Sequence, residues 1–366
     1  MSPSKPFVLS IFLLFALFSQ AQEYSCNFQY MHMSGKLGKE KSIIANLIIS
    51  GSQINGSYIF KQADTIVTPR LEGTIDEHGI ANITEYTGNI ETATFTGLIS
   101  SSFAGTWRSS GGGKVLSFKL EESYPEGSIA LKGYCMYADS TLLDTADTPF
   151  AHLDLSLLLP LDAEPPSPLR HMIIKSFFGK DMPGTDQDSL LFSFSKQYFN
   201  DYYNSNIDIY DGGYSFNWEK IVSSKVSMNR DGILVYCIDS YAYTGGAHGI
   251  GISRFLVFDL IEMRQLSLND MFIPGFEDEL SKLLERKFRM NYFLGADQSL
   301  TEAGLWENSI HPSENFYLAN KGIGFVYNPY ELAPYSMGGI YIFLVYEDIE
   351  HILKENSPLQ RIQSRD

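Results

Sequence analysis

From Ile43 to Leu120 apolar residues return at every second position, and this pattern limits the fold more than any other feature of the chain. Ile43, Ala45, Leu47 and Ile49 form one such series; Leu71, Gly73 and Ile75 form a second. Three more follow: Phe95, Gly97 and Ile99; Phe103, Gly105 and Trp107; Leu116, Phe118 and Leu120. A period of two is the mark of a strand with one face against a core. Clusters of turn-forming residues separate the series: Ser50-Gly51-Ser52, Asp76-Glu77-His78-Gly79 and the run from Ser109 to Gly113. Glycine sits at the centre of three of the apolar registers, which lets strands bend or approach closely. Residues 22–122 therefore predict about eight short antiparallel strands in a meander, a small barrel or a curled sheet. A barrel of that size is ordinarily filled by its own side chains.

The pattern changes after a linker at 121–127, Glu-Glu-Ser-Tyr-Pro-Glu-Gly. Strands are expected at 128–137 and 150–159, followed by a Pro/Asp/Glu-rich loop. Ser167-Pro168 reads as an N-cap with proline at the first helical position, and Gly179 as the end of that helix. A second helix starts near Asp186, with Leu190, Leu191, Phe194, Tyr198 and Tyr202 at helical spacing. Strands resume from Tyr214, and 232–240 and 254–260 are strong examples. A third helix over 277–292 places Leu280, Leu283, Leu284 and Phe288 on one face. A hairpin at 315–327, a strand at 340–346 and a last helix at 347–355 complete the set. Antiparallel strands interrupted by packed helices make residues 128–355 an α+β domain, with halves at 128–225 and 226–355.

The first 21 residues read as a signal peptide. Lys5 supplies the positive end, Phe7 to Phe18 the apolar run, and Ser19-Gln20-Ala21 a cleavage site after Ala21. That run is short for a membrane span, and no later segment is longer, so the expected product is exported, periplasmic or extracellular, without a span. Of 366 residues 44% are hydrophobic and 14% aromatic, enough for a large core. Acidic residues outnumber basic ones 43 to 27, a formal charge of −16 that repels nucleic acid and would draw a cationic partner. Three cysteines, Cys26, Cys135 and Cys237, leave one bridge and one thiol with three pairings open. Cys135 and Cys237 share the second part of the chain and form the first-choice pair.

Chemistry is sparsely signalled. No two of the seven histidines lie within five residues, so no local two-histidine metal motif exists, and no cofactor is called for. The segment 206–211 spaces its oxygens unlike a calcium loop, and no nucleophile-elbow serine occurs. The densest feature is Tyr241-Ala-Tyr-Thr-Gly-Gly-Ala-His-Gly249, where Gly245 and Gly246 permit a sharp turn and His248 follows. A histidine in that setting is usually a buried, hydrogen-bonded structural residue; the rival reading is a hydrolase using His248 with an acidic partner such as Asp239 or Glu331. The second feature is a stiff tyrosine- and proline-rich loop carrying Tyr327, Tyr330, Glu331 and Tyr335. Tyrosine offers contact area at low entropic cost, which suits recognition of protein or sugar. Tyr243, Gly245, Gly246, His248, Tyr330, Glu331 and Tyr335 are therefore the candidate binding residues, with no catalytic residue and no metal ligand assigned.

These segments carry a resemblance. Tyr243 to Gly249, the strand Phe255-Leu-Val-Phe-Asp259, Leu266 to Phe272, and Phe325 to Tyr335 followed by Gly338-Gly339 resemble a family of extracytoplasmic domains of unknown function. That family occurs in the RsiV anti-sigma factor and beside the deacetylase domain of PdaC. The resemblance spans residues 128–355 and implies an exported α+β recognition domain of the cell envelope, which in the anti-sigma factor binds lysozyme. The expected function is thus non-catalytic binding of an envelope protein or glycan. Inhibition or sensing of a lysozyme-type enzyme, itself a cationic protein, is an alternative.

Overall fold

The structure, a computed structural model, describes residues 26–61, 68–145, 148–161, 167–182, 186–212 and 216–363. The expected signal peptide and its cleavage site lie outside the described residues, as does the resumption of strand at Tyr214. No helix among the described residues is long and apolar enough to cross a membrane.

The alternating region closes into a barrel. Strands β1 (Phe28–Leu37), β2 (Lys41–Ser50), β3 (Gln53–Phe60), β4 (Arg70–Ile75), β5 (Ile80–Thr87), β6 (Ile90–Ile99), β7 (Ser102–Ser109) and β8 (Val115–Glu122) pair in sequence order. β8 returns antiparallel to β1, with Met33 opposite Glu122 and Leu37 opposite Phe118. Every pairing is antiparallel, as short turns require. The inward register fills the interior with Met33, Leu37, Ile43, Leu47, Ile54, Ile83 and a knot of rings. Phe118 meets Phe103 at 4.6 Å and Phe95 at 5.1 Å, both edge-on, the arrangement that aromatic quadrupoles favour. Gly97 and Gly105 face each other across β6 and β7, and a Cβ on Gly97 would lie 2.2 Å from the Ala104 carbonyl oxygen. The strands are close enough there that only glycine fits.

The second part is built on a six-stranded sheet. Its strands are β9 (Leu131–Thr141), β10 (Phe150–Pro160), β11 (Trp218–Arg230), β12 (Ile233–Tyr243), β13 (Ile250–Asp259) and β14 (Arg264–Gln265), in the order β14-β13-β12-β11-β10-β9. The α+β class holds, with one pair in the sheet, β10 and β11, running parallel among otherwise antiparallel neighbours. Parallel neighbours need a crossover. Helices α1 (Pro168–Phe178) and α2 (Gln187–Asn206) lie within it. Both start as read. Ser167 Oγ accepts from the Arg170 amide at 3.2 Å, and an Asp186 carboxylate oxygen accepts from the Ser189 amide at 2.9 Å. Gly179 ends α1 at φ 70°. Ile173, Phe177, Leu190 and Tyr202 from these helices share a core with Leu153, Leu155 and Leu157 of β10.

A second core forms from other residues of the same sheet. Val235 and Val257 of β12 and β13 pack with Leu280, Leu284 and Phe288 of helix α4 (Glu277–Asn291), which follows the short helix α3 (Leu268–Met271). A three-stranded sheet, β15 (Phe316–Ala319), β16 (Gly322–Tyr327) and β17 (Ile340–Val345), adds Phe325 and Ile342. The expected last helix is interrupted. Helix α5 (Tyr346–Ile349) gives way to a 3-10 turn at Glu350–Ile352. Leu353 then bridges to Phe272, and the Lys354 amide donates to the Met271 carbonyl at 2.8 Å, so tertiary pairing captures the backbone that a longer helix would use.

The cysteine pairing also needs correction. Cys26 is bonded to Cys135, with Cα atoms 6.0 Å apart, and Cys237 is a buried thiol. Cys135 lies on β9 and Cys237 on β12, with β10 and β11 between them. Three strand spacings amount to roughly 14 Å, about twice what a disulfide spans. The bridge that forms ties the start of the barrel to the sheet. Phe28, Tyr30 and Ile48, on the barrel's outer surface, join the same core as Leu155 and Tyr236.

Candidate functional site

Strand β12 leads into the Gly-Gly-Ala-His turn, and Gly245 and Gly246 adopt φ of 92° and 93°, conformations that side chains resist. The Tyr243 hydroxyl donates to the Gly246 carbonyl at 3.0 Å and locks the turn. Gly249 behind it is buried, and a Cβ there would lie 2.3 Å from the Tyr241 hydroxyl. The turn thus presents His248 outward. His248 is exposed, so the buried setting expected of a structural imidazole is not found. Its ring stacks on Tyr335 at 3.9 Å and 13°. The Tyr335 hydroxyl donates to the Gly249 carbonyl at 3.1 Å, and His248 Nδ1 lies 3.2 Å from the same oxygen. The two segments singled out in the sequence therefore meet.

The tyrosine loop extends this contact. Tyr330 takes φ 73°, a left-handed backbone that costs a non-glycine residue of order 1–2 kcal/mol. Its amide donates to the Ala333 carbonyl at 3.1 Å, and Glu331 accepts from the Asn328 amide at 2.8 Å. Asn328 in turn accepts from the Ser253 amide at 2.8 Å, which anchors the loop to β13. The Tyr330 ring is 50% exposed and lies 5.9 Å from Tyr335. Tyr327 differs from its neighbours. It is buried, its hydroxyl donates to the His311 carbonyl at 2.6 Å, and burial pushes its pKa well up. It supports the loop from beneath.

One member of the cluster was missed in the sequence. Trp306 is 52% exposed, its amide donates to the Leu332 carbonyl at 2.8 Å and its indole nitrogen to the Tyr330 carbonyl at 3.3 Å. His248, Tyr335 and Tyr330 form a row of rings on the surface, and Trp306 is tied beside it through hydrogen bonds to the Tyr330 and Leu332 carbonyls. The acidic groups considered as partners for His248 are engaged elsewhere. Glu331 caps Asn328, while Asp239 pairs with Lys225 Nζ at 2.6 Å and accepts from Ser253 Oγ at 2.6 Å. Burial would raise the Asp239 pKa, but the lysine and the hydroxyl outweigh it and hold the carboxyl below its usual range. Burial, with Asp239 beside it, pushes the Cys237 thiol far up, so it is a poor nucleophile. Among the described residues no group of three or more His, Cys, Asp or Glu side chains could hold a metal ion. What the row offers chemically is open aromatic surface.

Residues 269–347 match the model of a family described as protein of unknown function (DUF3298). Trp306, Tyr330, Glu331 and Tyr335 fall inside the matched stretch, and His248 precedes it. Among solved structures, the chain is similar to a DUF3298 family member from Bacteroides fragilis, at 28% identity and a TM-score of 0.59. That match covers 65% of this chain and 99% of the other. It is also similar to a DUF3298 family protein from Pseudomonas aeruginosa, at 20% identity and a TM-score of 0.45, covering 63% of this chain and 97% of that one. No curated protein matches.

Proposed function

We propose that this protein is an exported, non-catalytic binding protein of the cell envelope, and that it recognises a glycan or a protein through the ring row His248–Tyr335–Tyr330 with Trp306 beside it. The observation that carries the reading is Tyr330, held in a strained backbone while its ring stays half exposed. Strain of this kind persists where surrounding structure over-determines it, and it clusters at ligand clamps. Rigid rings with polar tips suit both the apolar face of a sugar and a polypeptide. The resemblance of residues 128–355 to the domains found in RsiV and PdaC supports an envelope setting, and the leader-like first 21 residues support export.

Two experiments test this. N-terminal sequencing of the mature protein should begin at Gln22; a start at Met1, or a lipid on Cys26, would sink the export claim. Co-sedimentation with purified peptidoglycan sacculi and with solubilised envelope proteins should show binding that Tyr330→Ala and Trp306→Ala each weaken without loss of fold. Binding unaffected by both variants would remove the row from the function. A second reading, inhibition or sensing of a lysozyme-type enzyme, draws support from the charge of −16, which favours encounter with a basic protein. It predicts slower wall lysis by lysozyme when the protein is added, with the effect fading as salt rises.

A further inference from the structure

A different surface holds cavities with polar groups short of partners. The outer face of the barrel at β2–β4 meets the polar part of the six-stranded sheet along a seam. The larger cavity in it has a volume of about 760 Å³ at the C-terminal end, but its cations and carboxylates are interspersed and single out no ligand. The cavity over the sheet, about 620 Å³, is more selective. It adjoins an inner one of about 220 Å³, and Asn46, Gly56, Ser57, Arg70 and Ser227 line both. Clefts of this size between two structural units are where small ligands usually bind.

The floor is set by strand register. Ser156 pairs with Ser223, Ser223 with Asp239, and Asp239 with Ser253, so one row of short polar side chains crosses four strands on one face. Asp154 lies two residues before Ser156 and shares that face. The charges in the cavity cancel in pairs except one. Lys225 holds Asp239 at 2.6 Å, and Arg70 holds Glu72 at 2.8 Å. Asp154 is left half-buried, and its one hydrogen bond among the described residues is a long one, 3.5 Å from Ser156 Oγ. Burial raises its pKa, outweighing the nearby His152 and the Ser156 hydroxyl, as expected of a carboxylate short of donors.

The inner cavity adds a second acceptor. His32, 1% exposed, lines it, and its Nε2 has no hydrogen-bond partner among the described residues. The tautomer follows from the network. Tyr30 donates its hydroxyl to Asn46 Oδ1 at 2.7 Å, and His32 Nδ1 lies 3.0 Å from the same acceptor. Nδ1 therefore carries a proton. Burial lowers the His32 pKa, so the ring is neutral near pH 7 and Nε2 is an acceptor. The Asp154 carboxylate, with its one long hydrogen bond, and the unpartnered His32 Nε2 are thus both acceptors that a ligand's donors would fit. The walls supply apolar surface from Phe28, Phe255 and Tyr341.

We infer that the seam binds a saccharide carrying a primary amine, with the ammonium on Asp154, hydroxyls on the serine row and the C–H face of the sugar against the wall rings. A hydroxyl-rich ligand matches the serines, and only a single positive charge matches the one uncompensated carboxylate. The site is independent of the ring row, and separate variants distinguish the two.

The test is calorimetric titration of the full chain with three probes: a β-1,4-linked trisaccharide of two N-acetylglucosamine units and one glucosamine, its fully N-acetylated counterpart, and trilysine. The amine trisaccharide should bind, and N-acetylation should weaken it by about tenfold or more, the usual effect of losing a charge-assisted hydrogen bond. Asp154→Asn should produce a similar loss for the amine form at an unchanged melting temperature. Ser223→Asn, which adds bulk at the centre of the polar row, should also weaken it. Tyr330→Ala should leave it unchanged. No binding of the amine trisaccharide at millimolar concentration would overturn the inference, as would indifference to Asp154→Asn in a folded variant. Trilysine binding as tightly as the sugar would reduce the site to a simple cation sink. Loss of sugar binding in Tyr330→Ala alone would move the sugar to the ring row.

Discussion

Breaking the Cys26–Cys135 bridge should cost the protein more stability than any single change in its cores. The bridge joins residues 109 apart in sequence, and the loop it closes contains the whole barrel. In the chain-entropy account, a cross-link closing about a hundred residues removes roughly 4.7 kcal/mol of unfolded-state freedom. The native contacts that remain are considerable. β8 still pairs with β1, Asn229 Nδ2 still donates to the Tyr30 hydroxyl at 3.1 Å, and Phe28 and Ile48 stay in the shared core. The loss therefore falls mainly on the unfolded state, and the variant should fold with the same secondary structure. At about 2 °C per kcal/mol for a chain of this size, Tm should fall by roughly 10 °C. The assay is urea unfolding of Cys26→Ser/Cys135→Ser beside the parent with and without reductant. The reduced parent and the double variant should share a lowered midpoint. A double variant with the parent's midpoint would refute the pairing or the loop argument; a parent unaffected by reductant beside a weakened variant would assign the loss to packing.

Three further outcomes are expected. Asp259 is buried and pairs with Arg361 at 2.5 and 3.1 Å; burial would raise its pKa, but Arg361 and the amides of Ile261 and Glu262 outweigh this and lower it. Its stabilising effect is present above the unfolded carboxylate range, near pH 4, and is lost as pH falls through the lower folded value, so Arg361→Met should cost about 3 kcal/mol at pH 7 and less in acid, read from urea midpoints. Tyr330→Gly should raise stability by about 1 kcal/mol in thermal melts by relieving the φ of 73°, while lowering envelope binding. His248→Ala should cost about 1 kcal/mol or less, the worth of one exposed ring stack, and a larger loss would mean that the imidazole holds the turn.

The parts of the fold that could be read in advance are those written in local chemistry. Ser167-Pro168, Gly179 and Asp186 marked the starts of two helices and the end of the first because caps act within one turn. The barrel was legible because its neighbours in space are neighbours in sequence, and its inward glycines sit where backbones touch. What escaped was long-range. The parallel β10–β11 pair depends on a crossover, and the Cys26–Cys135 bridge depends on how the barrel docks, which no local pattern encodes. The helix expected to end at Glu355 failed for the same reason, since a bridge from Leu353 to Phe272 competes with it.

The functional surfaces divide along the same line. His248, Tyr330 and Tyr335 stood out because Gly-Gly and the prolines announce unusual backbone, and unusual backbone in turn exposes rings. Trp306 carries no such signal; its place depends on hydrogen bonds to Tyr330 and Leu332, over twenty residues away. The seam is a different case, because a signal was present. Strand β10 reads His152-Leu-Asp-Leu-Ser-Leu157, with leucine on one face and His152, Asp154 and Ser156 on the other. Polar residues at period two in the middle of a sheet argue that the opposite face meets something other than a hydrophobic core. In this fold that face meets the barrel across a cavity, and Asp154, the carboxylate there without a cation, is what a ligand would have to satisfy.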